Sequence, residues 1–258
     1  GLVDIDNYGF IGGMGANGQH DGGDNHAEAI AAGGGVINNF AGGTIFSVQR
    51  AIQVDDSAEG NALAATTIIN AGTIQATDEA IKIVGSFADT LTNTGTIIGD
   101  ILMGDGDDTV TLKGRSNVIG DIMLEAGDDI FKGSSTAEVV YGGAGIDSLT
   151  GGAGADTFVF ALGDTGKTKA GADTLFDFNG KAGDTIDLSA IDANGAKAGD
   201  PAFKFIGSAA FHDKAGELRV VTEKSDTYIY GDTTGDGKAD FAIHLDDAVA
   251  FKAGYFDL

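Results

Sequence analysis

Apolar residues in this chain recur in short runs rich in Ile, Val and Thr, without helical periodicity. These runs are separated by turns rich in Gly, Asn and Asp. Runs of this kind indicate strands with one buried face, whereas an amphipathic helix would place apolar residues three and four positions apart. The pattern therefore predicts an all-β protein built from many short strands.

The first part of the chain contains two motifs that repeat in phase. The motif N-x-G-x-I occurs in residues 5–11, 68–74 and 91–97, and a longer copy occupies 37–45. The runs AIQV and AIKI follow two of these copies, and the two members of each pair lie 29 residues apart. Short strands that repeat in this way bury their apolar side by stacking on the next copy. Residues 1–98 are therefore predicted to form irregular coils of a parallel β-helix, with the repeated Asn in a left-handed turn or an inward ladder.

The repeat shortens after residue 98. Residues 99–111 align with residues 120–132 at an offset of 21, and nine-residue units occupy 124–159. The last two units, GGAGIDSLT and GGAGADTFV, fit the pattern G-G-x-G-x-D-x-U-x, in which U is a large apolar residue. Six residues form a turn whose glycines adopt angles that other residues resist, and three form a strand with one inward side chain. Residues 99–160 are thus predicted to form a β-roll solenoid. Its predicted inward side chains are Val110, Ile122, Phe131, Val140, Leu149 and Phe158.

Stacking of these turns would bring many oxygen atoms together. Two nonapeptides complete a coil, so each turn lies on the turn two units later, and carboxylate and carbonyl oxygens suit Ca²⁺. On this basis Asp129 should pair with Asp147, Glu138 with Asp156, and Asp108 should stack near Asp129. The turn that contains Glu138 is expected to hold a weaker or empty site, because Ser and Thr replace its glycines. The metal-binding residues predicted in the roll are Asp108, Asp129, Glu138, Gly143, Gly145, Asp147, Gly152, Gly154 and Asp156.

Composition and charge agree with a role for cations. The chain has 15 Lys and Arg against 39 Asp and Glu, a net charge of −24, and no Cys. So negative a chain repels nucleic acids, and no apolar run is long enough to predict a membrane span. Without disulfides, divalent cations are the natural means of offsetting carboxylate repulsion. The opening GLVDID has neither an initiator Met nor a basic segment, which indicates a fragment or a processed product.

The nonapeptides are similar to the calcium-binding repeats of the RTX family. The segments that follow, GADTLFDF (171–178), AGDTIDLSAID (182–192) and GDTTGDGKADFAIHL (231–245), resemble the C-terminal domain of serralysin-type metalloproteases. This resemblance covers residues 100–258. It implies a β-roll followed by a β-sandwich-like cap over 161–258, with an uncleaved type I secretion signal. The zinc motif of that family, H-E-x-x-H-x-x-G-x-x-H, is absent from the sequence, so the resemblance does not extend to protease activity.

Three further places carry candidate metal ligands. Asp173 and Asp177 are predicted to cap the last site of the roll. A Gly-rich loop at 19–26, which contains two His, is either a metal-binding loop or a solvated loop. The segment GDTTGDGKAD resembles an EF-hand loop at positions 1, 5 and 9, although it lacks the Glu of position 12 and is alternatively a hairpin turn with solvated carboxylates. Its candidate ligands are Asp232, Asp236 and Asp240.

Two classes of function remain open from the sequence. The first is a non-catalytic calcium-binding module of a secreted or cell-surface bacterial protein, which folds on Ca²⁺ after type I secretion and serves a surface-layer, adhesin or other structural role. Its expected partners are calcium, the secretion machinery, cell-surface polysaccharide and a second solenoid end. The alternative is the C-terminal part of an extracellular β-helix enzyme, a lyase or epimerase acting on polysaccharide. The N-terminal coils show no cluster of Lys, Arg, His and Tyr suited to abstracting a sugar proton, which favours the first class.

Overall fold

The computed structural model describes residues 1–13, 28–55, 61–197, 199 and 201–258. The Gly-rich loop at 19–26 lies outside the described residues. Within these ranges the chain contains no α-helix, and its regular structure consists of β-strands and two 3₁₀ turns. No described helix is long and apolar enough to cross a membrane.

The described strands are short throughout. The N-terminal coils contain β1 (Val3–Asn7), β2 (Phe10–Gly13), β3 (Glu28–Ala32), β4 (Gly35–Asn39), β5 (Thr44–Ser47), β6 (Arg50–Val54), β7 (Thr66–Asn70), β8 (Thr73–Ile83), β9 (Thr90–Asn93) and β10 (Thr96–Leu102). The roll contains β11 (Thr109–Leu112), β12 (Asn117–Ile119), β13 (Ile122–Met123), β14 (Ile130–Lys132), β15 (Val139–Tyr141), β16 (Ser148–Thr150) and β17 (Thr157–Val159). The C-terminal region contains β18 (Asp173–Phe176), β19 (Thr185–Asp187), β20 (Lys204–Phe205), β21 (Glu217–Thr222), β22 (Thr227–Asp232), β23 (Phe241–Leu245) and β24 (Phe256–Asp257). The 3₁₀ turns are Lys169–Gly171 and Ala253–Tyr255.

These strands form two long sheets. The first sheet has the order β1-β4-β7-β9-β11-β14-β16-β18-β23-β22-β21-β20. The second has the order β2-β5-β8-β10-β13-β15-β17-β19-β24, with β3, β6 and β12 paired beside it. Neighbouring strands are parallel up to β18 and β19, and from β13 to β19 successive strands alternate between the second and the first sheet. This arrangement is a parallel solenoid, so the prediction of an all-β β-helix and β-roll is confirmed.

The register between coils follows the repeat lengths in the sequence. Ile45 pairs with Ile74 and Ile52 with Ile81, which is the 29-residue offset of the N-terminal motifs. In the roll, Val110 pairs with Phe131 across 21 residues, and the following coil is shorter by three. Equivalent residues of successive coils therefore lie directly above one another.

One hydrophobic core fills the space between the sheets. Along the first sheet, Ile37, Ile68 and Leu91 lie in register, and all three side chains are completely buried. Burial of such a side chain contributes about 1.5–3 kcal/mol. The six side chains predicted to point inward in the roll are all completely buried, which confirms that prediction: Val110, Ile122, Phe131, Val140, Leu149 and Phe158.

A ladder of asparagines joins the N-terminal coils. The side-chain amide of Asn7 donates to Asn39 Oδ1 at 2.8 Å, Asn39 donates to Asn70 at 2.7 Å, and Asn70 donates to Asn93 at 2.8 Å. These side chains are buried, so the inward alternative for the repeated Asn is correct. The ladder ends at Asn93 because Leu112 occupies the same place in the next coil.

Both sheets run through the predicted boundaries near residues 98 and 160. Strand β10 spans the first boundary, and β18 and β19 continue the sheets beyond the second. The C-terminal cap adds the antiparallel strands β21, β22 and β23 to the first sheet through β18. The cap is thus a two-layered extension of the roll, and the boundaries themselves remain predictions.

Candidate metal centres

The turns of the roll stack their aspartates into a ladder. The backbone N–H of Asp108 donates to Asp129 Oδ1 at 2.7 Å, and the N–H of Asp129 donates to Asp147 Oδ1 at 2.9 Å. On the other edge of the roll, the N–H of Glu138 donates to Asp156 Oδ1 at 2.9 Å. The structure therefore brings together each predicted pair of acidic residues, one coil apart.

The second oxygen of each ladder aspartate has no partner among the described residues. These Oδ2 atoms are buried and accept no hydrogen bond, and the side chains are at most 1% exposed. Leaving a buried charged group unpaired is costly, and the cost falls if a cation is bound there. The aspartates concerned in the roll and its last turn are Asp108, Asp129, Asp147, Asp156 and Asp173.

Burial raises the pKa of every one of these carboxyl groups. The pKa of Asp108 and of Asp173 rises to about 8, because burial outweighs the hydrogen bond from the preceding coil and neighbouring carboxylates add to the effect. The same causes raise the pKa of Asp129 and Asp147 to about 7. Asp156 also has a pKa of about 7, through burial and the nearby charge of Glu138. The ladder is thus a row of acidic groups that disfavour ionisation without a counter-charge.

Glycines at fixed turn positions bring carbonyl oxygens against this row. A Cβ atom at Gly143 would collide with the carbonyl oxygen of Glu125, and one at Gly145 with that of Gly127. On the other edge, Gly152 and Gly154 face the carbonyl oxygens of Ser134 and Thr136 in the same way. Carboxylate and carbonyl oxygens are the donors that Ca²⁺ prefers. The residues present therefore fit a hard divalent cation between stacked turns.

The turn at 133–138 differs from the others, because hydroxyl groups satisfy its acidic residue. Glu138 Oε1 accepts hydrogen bonds from Ser134 Oγ at 2.7 Å and from Thr136 Oγ1 at 2.6 Å. Both hydroxyls also lie within hydrogen-bonding distance of the carbonyl oxygen of Ser116 in the coil below. These contacts support the expectation of a weaker or empty site at Glu138, which remains a prediction.

Asp173 and Asp177 lie at different places on the last coil. Asp173 Oδ1 accepts the N–H of Asp147 at 3.0 Å, so Asp173 continues the ladder. Asp177 instead accepts the N–H groups of Gly151 and Gly152 with its two oxygens, each at 3.0 Å. The two carboxylates therefore cap two separate turns, whereas the sequence placed them together at one site.

The loop from Asp232 to Asp240 is a hairpin turn between β22 and β23. Both oxygens of Asp232 accept backbone N–H groups of the loop, at 2.6 and 2.9 Å. Asp240 accepts from the N–H and the hydroxyl of Thr233, and the exposed Asp236 accepts the N–H of Lys238. Because N–H and hydroxyl donors engage all three carboxylates, the geometry agrees with the hairpin alternative. Calcium binding by this loop remains a prediction that no contact supports.

Sequence reasoning missed four acidic positions. Asp89 lies below Asp108 and Asp184 lies above Asp156, and each extends a ladder by one turn. Asp89 lies 19 residues before Asp108, and Asp184 lies 28 residues after Asp156. Neither distance matches the repeat, so the repeat pattern did not reveal these two residues. Asp226 and Asp246 were also missed, and they lie with His244 in a cluster whose ligand atoms are within 4.8 Å of one another.

The ring of His244 is already held on both sides. Its Nε2 lies 2.9 Å from Asp226 Oδ1, and its Nδ1 lies 3.0 Å from the hydroxyl of Thr174. The ring also stacks on Tyr228, with centroids 4.7 Å apart. Because both nitrogens have partners, this cluster is a weaker candidate for a cation than the aspartate ladder.

The raised pKa values predict that the calcium-free protein becomes less stable as the pH rises. A carboxyl with a pKa near 4 when unfolded and of about 7 to 8 when folded, as in Asp108 and Asp147, binds protons more tightly in the folded state. Stability is then present at low pH and is lost as the pH rises from about 4 to about 8. Protein freed of calcium on a chelating resin should keep more of its β-spectrum in circular dichroism at pH 5 than at pH 8. A β-spectrum that strengthens as the pH rises over this range would contradict the assignment.

Comparison with known proteins gives one family and similar solved structures. The family model described as peptidase M10 serralysin C terminal matches residues 70–254. The solution structure of the AlgE6R2 subunit of the Azotobacter vinelandii mannuronan C5-epimerase is 27% identical, over 62% of this chain and 91% of that chain, with a TM-score of 0.40. The AlgE6R3 subunit of the same epimerase is 26% identical, over 79% of this chain and 86% of that chain, with a TM-score of 0.36. No curated protein matches the chain.

Proposed function

Because the chain belongs to the peptidase M10 serralysin C-terminal family, we propose that it is a non-catalytic calcium-binding RTX module that folds on Ca²⁺ outside the cell. The observation that carries the proposal is the ladder of buried aspartates, each with one oxygen that has no partner. The stacked glycine turns add carbonyl oxygens beside it. The family is one of secreted proteins, and the proposal extends that location to this chain.

The chain's own residues explain why folding would depend on the ion. Without a counter-charge, ionised Asp108, Asp129 and Asp147 repel one another in a buried row, and the glycine turns are costly to order. Bound calcium supplies the positive charge that offsets this repulsion. The chain's backbone N–H groups, through contacts such as Asp129 N–H to Asp147, hold the carboxylates in place between the turns. Binding free energy thereby becomes folding free energy.

The size of this effect is sufficient for a switch. Extracellular calcium modules have Kd values of about 10⁻⁴ to 10⁻³ M. At a tenfold excess over Kd, each site contributes about 1.4 kcal/mol, and several sites add. A chain of marginal stability would then be unfolded where calcium is scarce and folded where it is abundant.

Removal of calcium should unfold the roll. Circular dichroism at pH 8 in 5–10 mM CaCl₂ (about tenfold above such a Kd) should show a β-spectrum that is lost in excess EDTA. It should return when calcium, but not magnesium, is added back, because magnesium demands a tighter octahedral site. The exposed variant Asp192→Asn serves as a control, and it should behave as the parent chain. A β-spectrum unchanged by chelation would refute the proposal.

The finer parts of the proposal rest on the sequence alone. They are export through a type I channel, contact with cell-surface polysaccharide, stacking of solenoid ends, and a surface-layer or adhesin role. The alternative of a polysaccharide lyase or epimerase also stays a prediction. Incubation with alginate or pectin, followed at 235 nm for unsaturated product, detects a lyase. An assay for altered uronate composition detects an epimerase.

A further inference from the structure

The antiparallel strands of the cap carry aromatic and cationic side chains on their outer surface. Tyr228 of β22 pairs with His244 of β23. The next outward residue of β22, Tyr230, pairs with Arg219 of β21. Ile229 between the tyrosines is completely buried, whereas both tyrosines are partly exposed. Because side chains of a strand alternate between its two faces, the two tyrosines lie together on the side away from the core. These side chains define the tyrosine face of the cap: Tyr228, Tyr230, His244 and Arg219.

The ring of Tyr228 is held by its neighbours. It stacks on the ring of His244 with an interplanar angle of 15°, and the ammonium of Lys169 lies 4.2 Å from its centroid. The ring of Tyr230 is nearly parallel to that of Tyr228, and the two centroids lie 6.2 Å apart. The rings are therefore presented side by side in fixed orientations. A ligand that stacks on Tyr230 would lose little of its binding free energy to ordering this face.

Arg219 lies opposite Tyr230 without a counter-charge. Its Nε atom is buried and has no hydrogen-bond partner, and no ion pair between described residues includes its guanidinium. The guanidinium carbon lies 5.6 Å from the centroid of the Phe211 ring, which keeps the group beside the face. The residue is partly exposed, so a carboxylate from solvent can reach it. A guanidinium offers a planar fork of donors that matches a carboxylate.

The acidic groups around the tyrosine face do not occupy this guanidinium. Three of them are each paired with another residue: Glu217 with His212, Glu223 with Lys169, and Asp226 with His244. The exposed Asp246 lies beyond His244, at the opposite end of the face from Arg219. The end of the face at Arg219 and Tyr230 is therefore positive, in a chain whose net charge is −24.

The hydroxyl of Tyr230 adds a neutral donor at this end. Burial raises the pKa of Tyr230, against the opposing effect of the Lys169 and Arg219 charges, so its phenol keeps its proton at neutral pH. A tyrosine offers an apolar ring together with a polar tip. A matching ligand has a carboxylate for Arg219, an apolar ring face for the aromatic ring and hydroxyl groups for the phenol. A uronate residue of a polysaccharide carries all three on one rigid ring, whereas an acidic peptide carries only the carboxylate.

We propose that the tyrosine face binds an acidic polysaccharide, with the ring of Tyr230 stacked on a uronate residue and the guanidinium of Arg219 paired with its carboxylate. Tyr228 and Lys169 position these two side chains. The site gives residues to the polysaccharide contact of the proposed function, and it rests on that function because calcium must fold the chain that presents it.

Calorimetric titration with a uronate trisaccharide, too short to form a gel with calcium, tests the site on the calcium-loaded chain. Arg219→Gln should weaken binding about tenfold or more, because a hydrogen bond to a charged group is lost. Tyr230→Leu, which removes the ring, should weaken binding as well. The matched control is Arg115→Gln, which removes the same charge from an exposed arginine of the roll and should bind as the parent chain does. Equal losses in Arg219→Gln and Arg115→Gln would overturn the proposal.

Two other ligands separate the parts of the recognition. A neutral glucose trisaccharide has the sugar ring without the carboxylate, and a glutamate tripeptide has the carboxylates without the ring. Both should bind the parent chain much more weakly than the uronate does. A peptide that binds as tightly as the uronate would assign the face to an acidic protein instead, and an equally tight neutral sugar would remove the role of Arg219.

NMR of the parent chain locates the ligand without a variant. The uronate trisaccharide should shift the backbone amides of Arg219, Tyr228 and Tyr230. Shifts confined to the nonapeptide turns at 142–156 would show that calcium bridges the sugar to the roll, and they would overturn the site. A β-spectrum that does not depend on calcium would refute the proposed function instead, while shifts at the tyrosine face could still be measured on the folded chain.

Discussion

Gly143→Ala should lower the stability of the calcium-bound protein by about 2–5 kcal/mol. Gly143 has a φ of +87°, where an alanine costs about 1–2 kcal/mol. The added Cβ would also collide with the carbonyl oxygen of Glu125, and overpacking of this kind costs about 1–3 kcal/mol. At about 2–4 °C per kcal/mol, thermal unfolding should show a Tm lower by roughly 10 °C. Calcium affinity should fall as well, because the collision separates the two turns.

Gly42→Ala is a matched control for this prediction. Gly42 has the same φ of +87°, but a Cβ atom there meets nothing within 4 Å. Its alanine variant should therefore show only the backbone cost and unchanged calcium affinity. Equal losses in the two variants would show that the approach of the carbonyl oxygen at Gly143 is unimportant.

Asp147→Asn should change stability in opposite directions with and without calcium. The variant keeps the Oδ1 atom that accepts the N–H of Asp129, but it removes a buried charge. In calcium the loss of a charged ligand should weaken binding at least tenfold, which is about 1.4 kcal/mol for the affected site. In a chelator the same change should favour the folded state, because one repelling carboxylate is gone, so the β-spectrum should persist to a higher pH than in the parent chain. Urea unfolding in calcium measures the first effect, and a pH titration in the chelator followed by circular dichroism measures the second.

Asp192→Asn controls for the change of net charge. The carboxylate of Asp192 is exposed and, like that of Asp147, accepts one backbone N–H, at 2.9 Å. We do not expect Asp192→Asn to change stability in opposite directions with and without calcium. If Asp147→Asn destabilises the protein equally in calcium and in the chelator, its carboxylate has a structural role unrelated to a cation.

The solenoid could be predicted because the sequence itself repeats with the periods of the coils. The 29-residue offset gave the register of Ile45 with Ile74, and the nonapeptide phase gave the inward positions of Leu149 and Phe158. The contact of Asp129 with Asp147 followed from the same phase. In each case the repeat length determines which residue of the next coil lies above a given residue and whether its side chain faces the core. No information from distant parts of the chain is therefore needed.

The parts that could not be predicted depend on contacts between segments of unequal length. Asp89 and Asp184 join the ladders through coils of irregular length, so no period places them. The sequence also could not separate Asp173 from Asp177, because the chain crosses from one turn to another between them. For Asp232, the spacing of a calcium loop and that of a hairpin turn are similar, and only the N–H donors distinguish the two.

The central claim is that calcium ions lie between the stacked aspartate turns and hold the coils together. Crystals grown in calcium, with anomalous diffraction recorded at long wavelength, test it most directly. We predict anomalous peaks in the gaps between Asp108 and Asp129, between Asp129 and Asp147, and between Asp147 and Asp173. An ordered roll with no anomalous density in these gaps would contradict the account.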